Sequence, residues 1–310
     1  MQYGGGCSRV SLLSNLCWVS VSASPESWSL TDCPRDAMQG WASPIPLALK
    51  VDYLRALLRV GFDVLDAGSF VSPKAVPQMA DTAKVLSALP ESQTKVLAIV
   101  ANQRGAEDAI AHGRPEILGF PFSISETFQQ RNTGAGMEEG WRRVASIREA
   151  TLRSGKDLVV YLSMGFGNPY GDPWSADRVS EWTARLHREL GVDRIALSDT
   201  VGSASPDVLQ SVFAAVVAEC PGVKVGAHLH GRPERAEALM GAAWAGGCRS
   251  FDGALGGHGG CPMAADDLVG NLPTEKLMRS PEAWGGEPRK WNQEALQEAQ
   301  ALSSRVFNGH

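Results

Sequence analysis

From Trp28 onward, short β-like apolar runs alternate with longer stretches whose apolar positions recur every three or four residues. Eight runs predict strands: Trp28–Asp32, Val64–Ala67, Lys95–Ala101, Ile117–Phe120, Leu158–Ser163, Arg194–Leu197, Val223–His228 and Ser250–Ala254. Helical spacing marks Leu47–Val60, Ala75–Leu89, Glu138–Arg153, Ala176–Leu190, Pro206–Glu219 and Pro233–Ala245. No Asn-Gly or similar hairpin pair joins the strands. Strict βα alternation over about 250 residues is the pattern of a (β/α)8 barrel. An open doubly wound sheet is the alternative, but no GxGxxG follows the first strand. Beyond Leu277 the pattern ends in a helix from Trp291 to about Val306. The expected organisation is a disordered extension over 1–27, then one α/β domain over 28–310. That domain is a TIM barrel with a short C-terminal helical appendage.

Composition narrows the function classes. Of 310 residues, 44% are hydrophobic and 20% charged, enough apolar content to bury a core. No run of 18 apolar residues exists to cross a membrane. Net charge is −5 with Lys and Arg scattered, which argues against nucleic-acid and membrane-surface partners. The six cysteines show no CxxC pair and read as reduced thiols. The first thirty residues carry eight serines and only Arg9 and Glu26 as charges. The expected compartment is the cytoplasm, or the mitochondrial matrix if that extension acts as a transit peptide.

A barrel reading directs attention to the C-terminal ends of strands, where such folds carry their chemistry. Polar residues gather there: Arg35 and Asp36, then Ser69, Asn102, Ser123 and Ser125. Asn168, Asp199, His228 and His230 follow, and the loop after the eighth strand carries His258 and Cys261. In His228-Leu229-His230 the two imidazoles share one face of a strand and can reach one point. Asp36, at the end of what a closed barrel makes a neighbouring strand, adds a hard oxygen ligand. Two His and a carboxylate suit a divalent ion that keeps positions open for substrate. Arg35 is placed to face an oxygen that gains negative charge. Cys261 ends the stretch Gly256-Gly257-His258-Gly259-Gly260-Cys261-Pro262, which reads as a lid delivering a thiol.

Together these residues resemble the 3-hydroxy-3-methylglutaryl-CoA lyase family. The resemblance rests on Pro34-Arg35-Asp36 with Gln39, and on Ser69-Phe70-Val71-Ser72-Pro73-Lys74 continuing through Val76-Pro77-Gln78-Met79. It continues through Ser198-Asp199-Thr200, the His228/His230 pair, Gly259-Gly260-Cys261-Pro262, Gly270-Asn271-Leu272 and Thr274-Glu275. The match runs in order from about Leu30 to Leu277. The resemblance implies a divalent metal cation, Mg²⁺ or Mn²⁺, held by Asp36, His228, His230 and Asn271. It implies catalytic roles for Arg35, Cys261, Asp199 and Glu275, and substrate contacts from Gln39, Ser69 and Asn168. The implied partner is an acyl-CoA thioester, and a homodimer is a compatible assembly.

The chain departs from the family pattern in places. Thr31 stands where a Glu is common five residues before the metal Asp, and Asp66 is one methylene shorter than the usual Glu. Gly231-Arg232-Pro233 follows the His pair in place of Asp-Thr, and Asn168 replaces a Cys. The implied reaction is retro-Claisen cleavage of 3-hydroxy-3-methylglutaryl-CoA, or a close 3-hydroxyacyl-CoA, to acetyl-CoA and acetoacetate. Two other readings are weighed: an acetyl-CoA-condensing synthase or ketoacid aldolase of the same barrel group, and a metal-binding barrel without catalysis. The short stretch after Leu277 leaves no room for a synthase's regulatory region, and the intact metal set with Cys261 argues against an inactive barrel.

Overall fold

The structure, a computed structural model, describes residue 1, residues 25–260 and residues 269–307. Residues 2–24 of the expected extension and the segment that begins with Cys261 lie outside that description. Within the extension's span, Glu26 bridges to Gly286 and pairs with Arg249.

Eight parallel strands close into a barrel in sequence order. Strand β1 (Ser29–Asp32) leads into helices α1 (Pro34–Gln39) and α2 (Leu47–Leu58). Then come β2 (Val64–Phe70), α3 (Thr82–Ser87), β3 (Lys95–Val100), α4 (Gln103–His112) and β4 (Ile117–Ser123). Helices α5 (Glu126–Thr133) and α6 (Met137–Ser154) precede β5 (Asp157–Ser163), α7 (Ala176–Leu190) and β6 (Arg194–Asp199). The circle ends with α8 (Pro206–Glu219), β7 (Lys224–Leu229), α9 (Ala236–Ala245) and β8 (Ser250–Gly253). Short helices α10 (Thr274–Leu277) and α11 (Ser280–Ala283) precede the final helix α12 (Gln293–Phe307). Closure is direct: Ser29, Leu30, Thr31 and Asp32 register with Ser250, Phe251, Asp252 and Gly253.

The strand period of two sorts side chains between two cores. On β3, Val96 and Val100 face the helices, whereas Leu97 and Ile99 join Val64, Ile117, Val159 and Tyr161 inside the barrel. Gly119 of β4 is glycine because the interior closes over it. A β-carbon there would stand 2.6 Å from Ile99 Cδ1 and 3.0 Å from Tyr161 Cε2.

All eight expected strands are present, with ends shifted by a few residues. Two expected helices start later than their periodicity suggests, each behind a proline. Pro77 opens a 3-10 turn over Pro77–Met79 before α3, and Pro233 opens another over Pro233–Arg235 before α9. A proline biases its predecessor away from helical dihedrals. The C-terminal appendage packs on α2 and into the core, where Phe307 meets Trp41 edge-on at 5.5 Å and Tyr53 at 6.4 Å. Among the described residues, no helix is long and apolar enough to cross a membrane.

Candidate active site

The C-terminal mouth of the barrel holds a cavity of about 200 Å³, lined in part by Arg35, Asp36, Gln39, Thr200, His228 and His230. Complete small-molecule sites usually span roughly 300–1,000 Å³. This space suits the reacting part of a ligand.

Asp36, His228 and His230 are all buried, and one ligand atom from each lies within 4.8 Å of the others. Strands β1 and β7 are not neighbours as the sequence reading had it, because β8 stands between them. The side chains still meet, because Asp36 sits on α1, a helix begun by Pro34 immediately after β1. Asn271 arrives by a different route. The backbone at 270–272 runs antiparallel to the end of β7, bridging Asn271 to His230, with Gly231 N donating to Gly270 O at 3.0 Å. Its Nδ2 donates to Asp36 Oδ2 at 2.8 Å and to His258 O at 3.0 Å.

Each imidazole is oriented from behind. His228 Nδ1 lies 3.2 Å from Asp252 Oδ2, and His230 Nδ1 lies 3.1 Å from the Thr200 carbonyl. Metal-binding histidines are characteristically held this way, leaving Nε2 for the ion. His230 Nε2 is buried with no hydrogen-bond partner, 3.8 Å from Asp36 Oδ2. An orphaned nitrogen in a buried site is costly unless something takes its lone pair. A cation fits.

Electrostatics agree. Burial, then the neighbouring His228, pushes His230 down to about 4, so its ring is neutral at pH 7. Burial opposes ionisation of Asp36, but Arg35 and the two histidines outweigh it and bring the carboxyl to about 2. Burial also opposes protonation of His228, yet Asp252 raises it above its ordinary value. Cys33, His228 and Asp252 make a second triplet within 4.8 Å. There burial pushes the thiol well up, and a protonated thiol is a poor ligand. The Asp36 set is the better cation site.

Arg35 is the hub of the neighbouring polar cluster. Its Nε donates to Asp66 Oδ2 at 3.0 Å, and its Nη1 to Asp36 Oδ1 at 2.9 Å and Gln39 Oε1 at 3.0 Å. Burial disfavours the cation, but Asp66 and Asp36 more than compensate and keep it charged. Asp66, fully buried, is raised to about 6 by desolvation against the pull of Arg35.

Other expected site residues lie elsewhere. Asp199 accepts from Ser203 N at 3.1 Å and Ala204 N at 2.9 Å, so its carboxylate organises the loop after β6. Asn168 Oδ1 accepts from Tyr170 N at 3.0 Å and Asp172 N at 3.1 Å, closing its own loop. Glu275 accepts from Gly256 N at 3.1 Å, and Ser69 Oγ is buried without a partner. Asn102 and Ser125, read as rim chemistry, cap α4 and α5 by accepting from Gly105 N and Phe128 N. None of these six lines the cavity.

The glycine stretch is fastened where it is described. His258 stacks on Phe307 with ring centroids 4.2 Å apart. Gly259, at φ +94°, lies against Asp36 and Asn271. Cys261, the expected thiol donor, lies outside the described residues. Sequence reasoning missed Asp252, which shows no motif, and did not foresee Asp66 as the partner of Arg35.

Comparison with known proteins adds the following. The family model described as HMGL-like matches residues 28–302. A mitochondrial hydroxymethylglutaryl-CoA lyase of Mus musculus is 34% identical over 79% of this chain and 75% of its own length. A 3-hydroxy-3-isohexenylglutaryl-CoA/hydroxy-methylglutaryl-CoA lyase of Pseudomonas aeruginosa is 32% identical over 79% of this chain and 81% of its own. An HMG-CoA lyase structure from Acinetobacter baumannii, in complex with coenzyme A and 3-methylmalate, superposes with a TM-score of 0.82. That pair is 26% identical, covering 91% of this chain and 92% of the other.

Proposed function

The chain belongs to the HMGL-like family, and on that premise we propose that it cleaves 3-hydroxy-3-methylglutaryl-CoA to acetyl-CoA and acetoacetate. The observation that carries this reading is the meeting of Arg35 with the Asp36–His228–His230 cluster at one cavity. A reaction that makes an enolate beside a ketone needs both groups together.

Asp36, His228 and His230, with the Asn271 amide beside them, would hold a divalent ion, and Mg²⁺ or Mn²⁺ suits a set with a hard carboxylate. Bound there, such an ion supplies Lewis-acid polarisation of the substrate's hydroxyl and carboxylate oxygens. The chain's own residues do the rest. A base takes the proton of the C3 hydroxyl, the C2–C3 bond breaks, and its electron pair moves to C2 as the enolate of acetyl-CoA. Arg35 offsets the charge that gathers on the thioester oxygen, its fork aimed by Asp66 and Gln39. The enolate carbon then needs a proton, and the resemblance assigns its delivery to the Cys261 thiol. Asp199, Asn168 and Glu275 act as positioning residues, since each spends its polar atoms on loop backbone near the mouth. Gln39 and the Ser163–Ser198 side of the cavity meet the acyl group.

The test is direct. Protein stripped with EDTA and resupplied with Mg²⁺ is given 3-hydroxy-3-methylglutaryl-CoA, and products are read by mass spectrometry. Acetyl-CoA and acetoacetate in equal amounts are expected. Consumption of acetyl-CoA with a 2-keto acid, without cleavage, would make the chain a condensing enzyme instead.

A further inference from the structure

Three neighbouring strands place a second set of ligand atoms behind the first. Strand β8 lies between β7 and β1, and its Asp252 registers with His228 on one side and with Thr31 on the other. Thr31 and Asp252 face into the barrel, where they line a chamber of about 60 Å³ together with Tyr161 and Ser250. Cys33, two residues beyond Thr31, turns to the same side. Its thiol is free and buried, and Cys33, His228 and Asp252 each bring one ligand atom within 4.8 Å of the others. The charges that act on this thiol are the carboxylates of Asp252, Asp66 and Asp36 and the single cation Arg35. Such surroundings attract a positive ion.

The two sets differ in kind. Asp36 and the two histidines, with the Asn271 amide, suit a hard ion, whereas one sulfur, one nitrogen and one oxygen suit a thiophilic, four-coordinate ion. His228 Nδ1 and Asp252 Oδ2 are 3.2 Å apart. Two such ligands on a tetrahedral zinc ion stand about 3.3 Å apart. The chamber beside Asp252 has room for a water as the fourth ligand. A protonated thiol excludes Mg²⁺, but a thiophilic ion displaces that proton as it binds. We propose that Cys33, His228 and Asp252 form an antagonist site for a thiophilic divalent cation of the Zn²⁺ or Cd²⁺ kind. The ion bonds to Cys33 Sγ, to a carboxylate oxygen of Asp252 and to His228 Nδ1, and the thiol proton leaves to solvent. The one proton that the imidazole keeps then sits on Nε2, so that nitrogen has no lone pair for the Asp36 set. Thiophilic and hard ions thereby exclude each other at His228. The exclusion rests on the hard-cation site proposed above, whereas the thiophilic site stands on its own ligands.

The experiment titrates Cd²⁺ into EDTA-stripped protein and follows the ultraviolet thiolate-to-cadmium charge-transfer band. The first equivalent should raise the band in the parent and in Cys261→Ala, but not in Cys33→Ser or Cys33→Ala. Serine keeps the size of the thiol, so that variant preserves the packing at the end of β1. A first equivalent that raises no band in the parent overturns the site, whatever the variants do. A band that persists in the Cys33 variants also overturns it, because another thiol is then the ligand. Mn²⁺ binding is next measured by calorimetry with and without one equivalent of Cd²⁺. Cd²⁺ should lower the Mn²⁺ affinity of the parent by about tenfold or more, and the Cys33 variants should escape that loss. An equal loss in parent and variants would mean that Cd²⁺ enters the Asp36 set directly, and would overturn the antagonism. Neither readout needs turnover, so failure of the lyase reading and failure of this site remain distinguishable.

Discussion

Gly259 lies directly against Asn271: a β-carbon on the glycine would stand 2.9 Å from Asn271 Nδ2. It would also come within 2.7 Å of Ala37 Cα and 2.9 Å of the Asp36 carbonyl. With φ at +94°, the position combines a left-handed backbone with close packing against the Asp36–Asn271 pair.

Gly259→Ala should therefore damage the site more than the fold. The clash must displace either the loop or the Asp36–Asn271 pair, so Mn²⁺ affinity should fall by about tenfold or more. The thermal midpoint should drop by only a few degrees, the scale of about 1–2 kcal/mol of backbone strain. Unchanged Mn²⁺ binding, measured by calorimetry, would show that the loop gives way without touching the ligands.

Asp252→Asn should weaken the same ion from the other side. The carboxylate orients His228 through Nδ1 at 3.2 Å, and loss of such an orienting partner typically costs 10–100-fold in affinity. The measurement is Mn²⁺ binding against the parent protein at pH 7.5. Equal affinity would mean that the ring is held by packing against Tyr161 and His230.

Arg35→Lys keeps the charge and loses the fork. A lysine cannot reach Asp66, Asp36 and Gln39 at once, so the residue proposed to face the enolate is no longer aimed. The expected loss is about 10²–10³ in kcat with KM changed far less, the span for one missing electrostatic donor. A matching rise in KM with kcat preserved would make Arg35 a binding residue only.

Cys261→Ala tests the thiol as a proton donor. Metal binding should survive, and kcat should fall by about 10²–10⁴. Near-full turnover would move the proton delivery to another group.

Buried Asp32 makes a prediction about pH and stability. Desolvation outweighs its hydrogen bond from Thr274 and raises it from 3.8 to about 7. The folded state thus keeps a proton that the unfolded chain has shed. The stability this contributes is complete below pH 3.8 and is lost as pH rises through about 7, on the order of 4 kcal/mol in all. Asp32→Asn cannot ionise, so its midpoint relative to the parent should improve from pH 5 to pH 8. A difference that stays constant across that range would show that Asp32 ionises in the fold as freely as in the unfolded chain.

The strands were legible because interior and exterior of a barrel wall are both apolar, which leaves dense short runs such as Lys95–Val100. Helix α5 was not legible. Its residues, Glu-Thr-Phe-Gln-Gln-Arg-Asn-Thr, offer one large apolar side chain and hence no period. The helix is set by the Ser125 cap and by burial of Phe128. At the site, the His-x-His spacing and the polar end of β1 pointed to Asp36, His228 and His230, whereas Asn271 came only from the resemblance, because its segment lies well beyond the end of β8. Direction was the hidden quantity. Asp199, Asn168 and Asn102 stand at the right ends of the right strands, but nearby backbone N–H groups claim their side chains. Asp66 and Asp252 escaped for a different reason: each meets its partner across an adjacent strand, and the pairing register that joins His228 to Asp252 is written in neither run alone.

The stack of His258 on Phe307 has a consequence for the order in which this protein is made. Synthesis is vectorial, and chain segments fold as they emerge. Asp36, the two histidines and Asn271 all leave the ribosome before Phe307 does. The four residues proposed to hold the ion are thus translated before the aromatic ring on which His258 stacks. The proposed ligands are encoded early and the stacking partner of their loop late, so fastening of the glycine loop is among the last contacts made in biosynthesis.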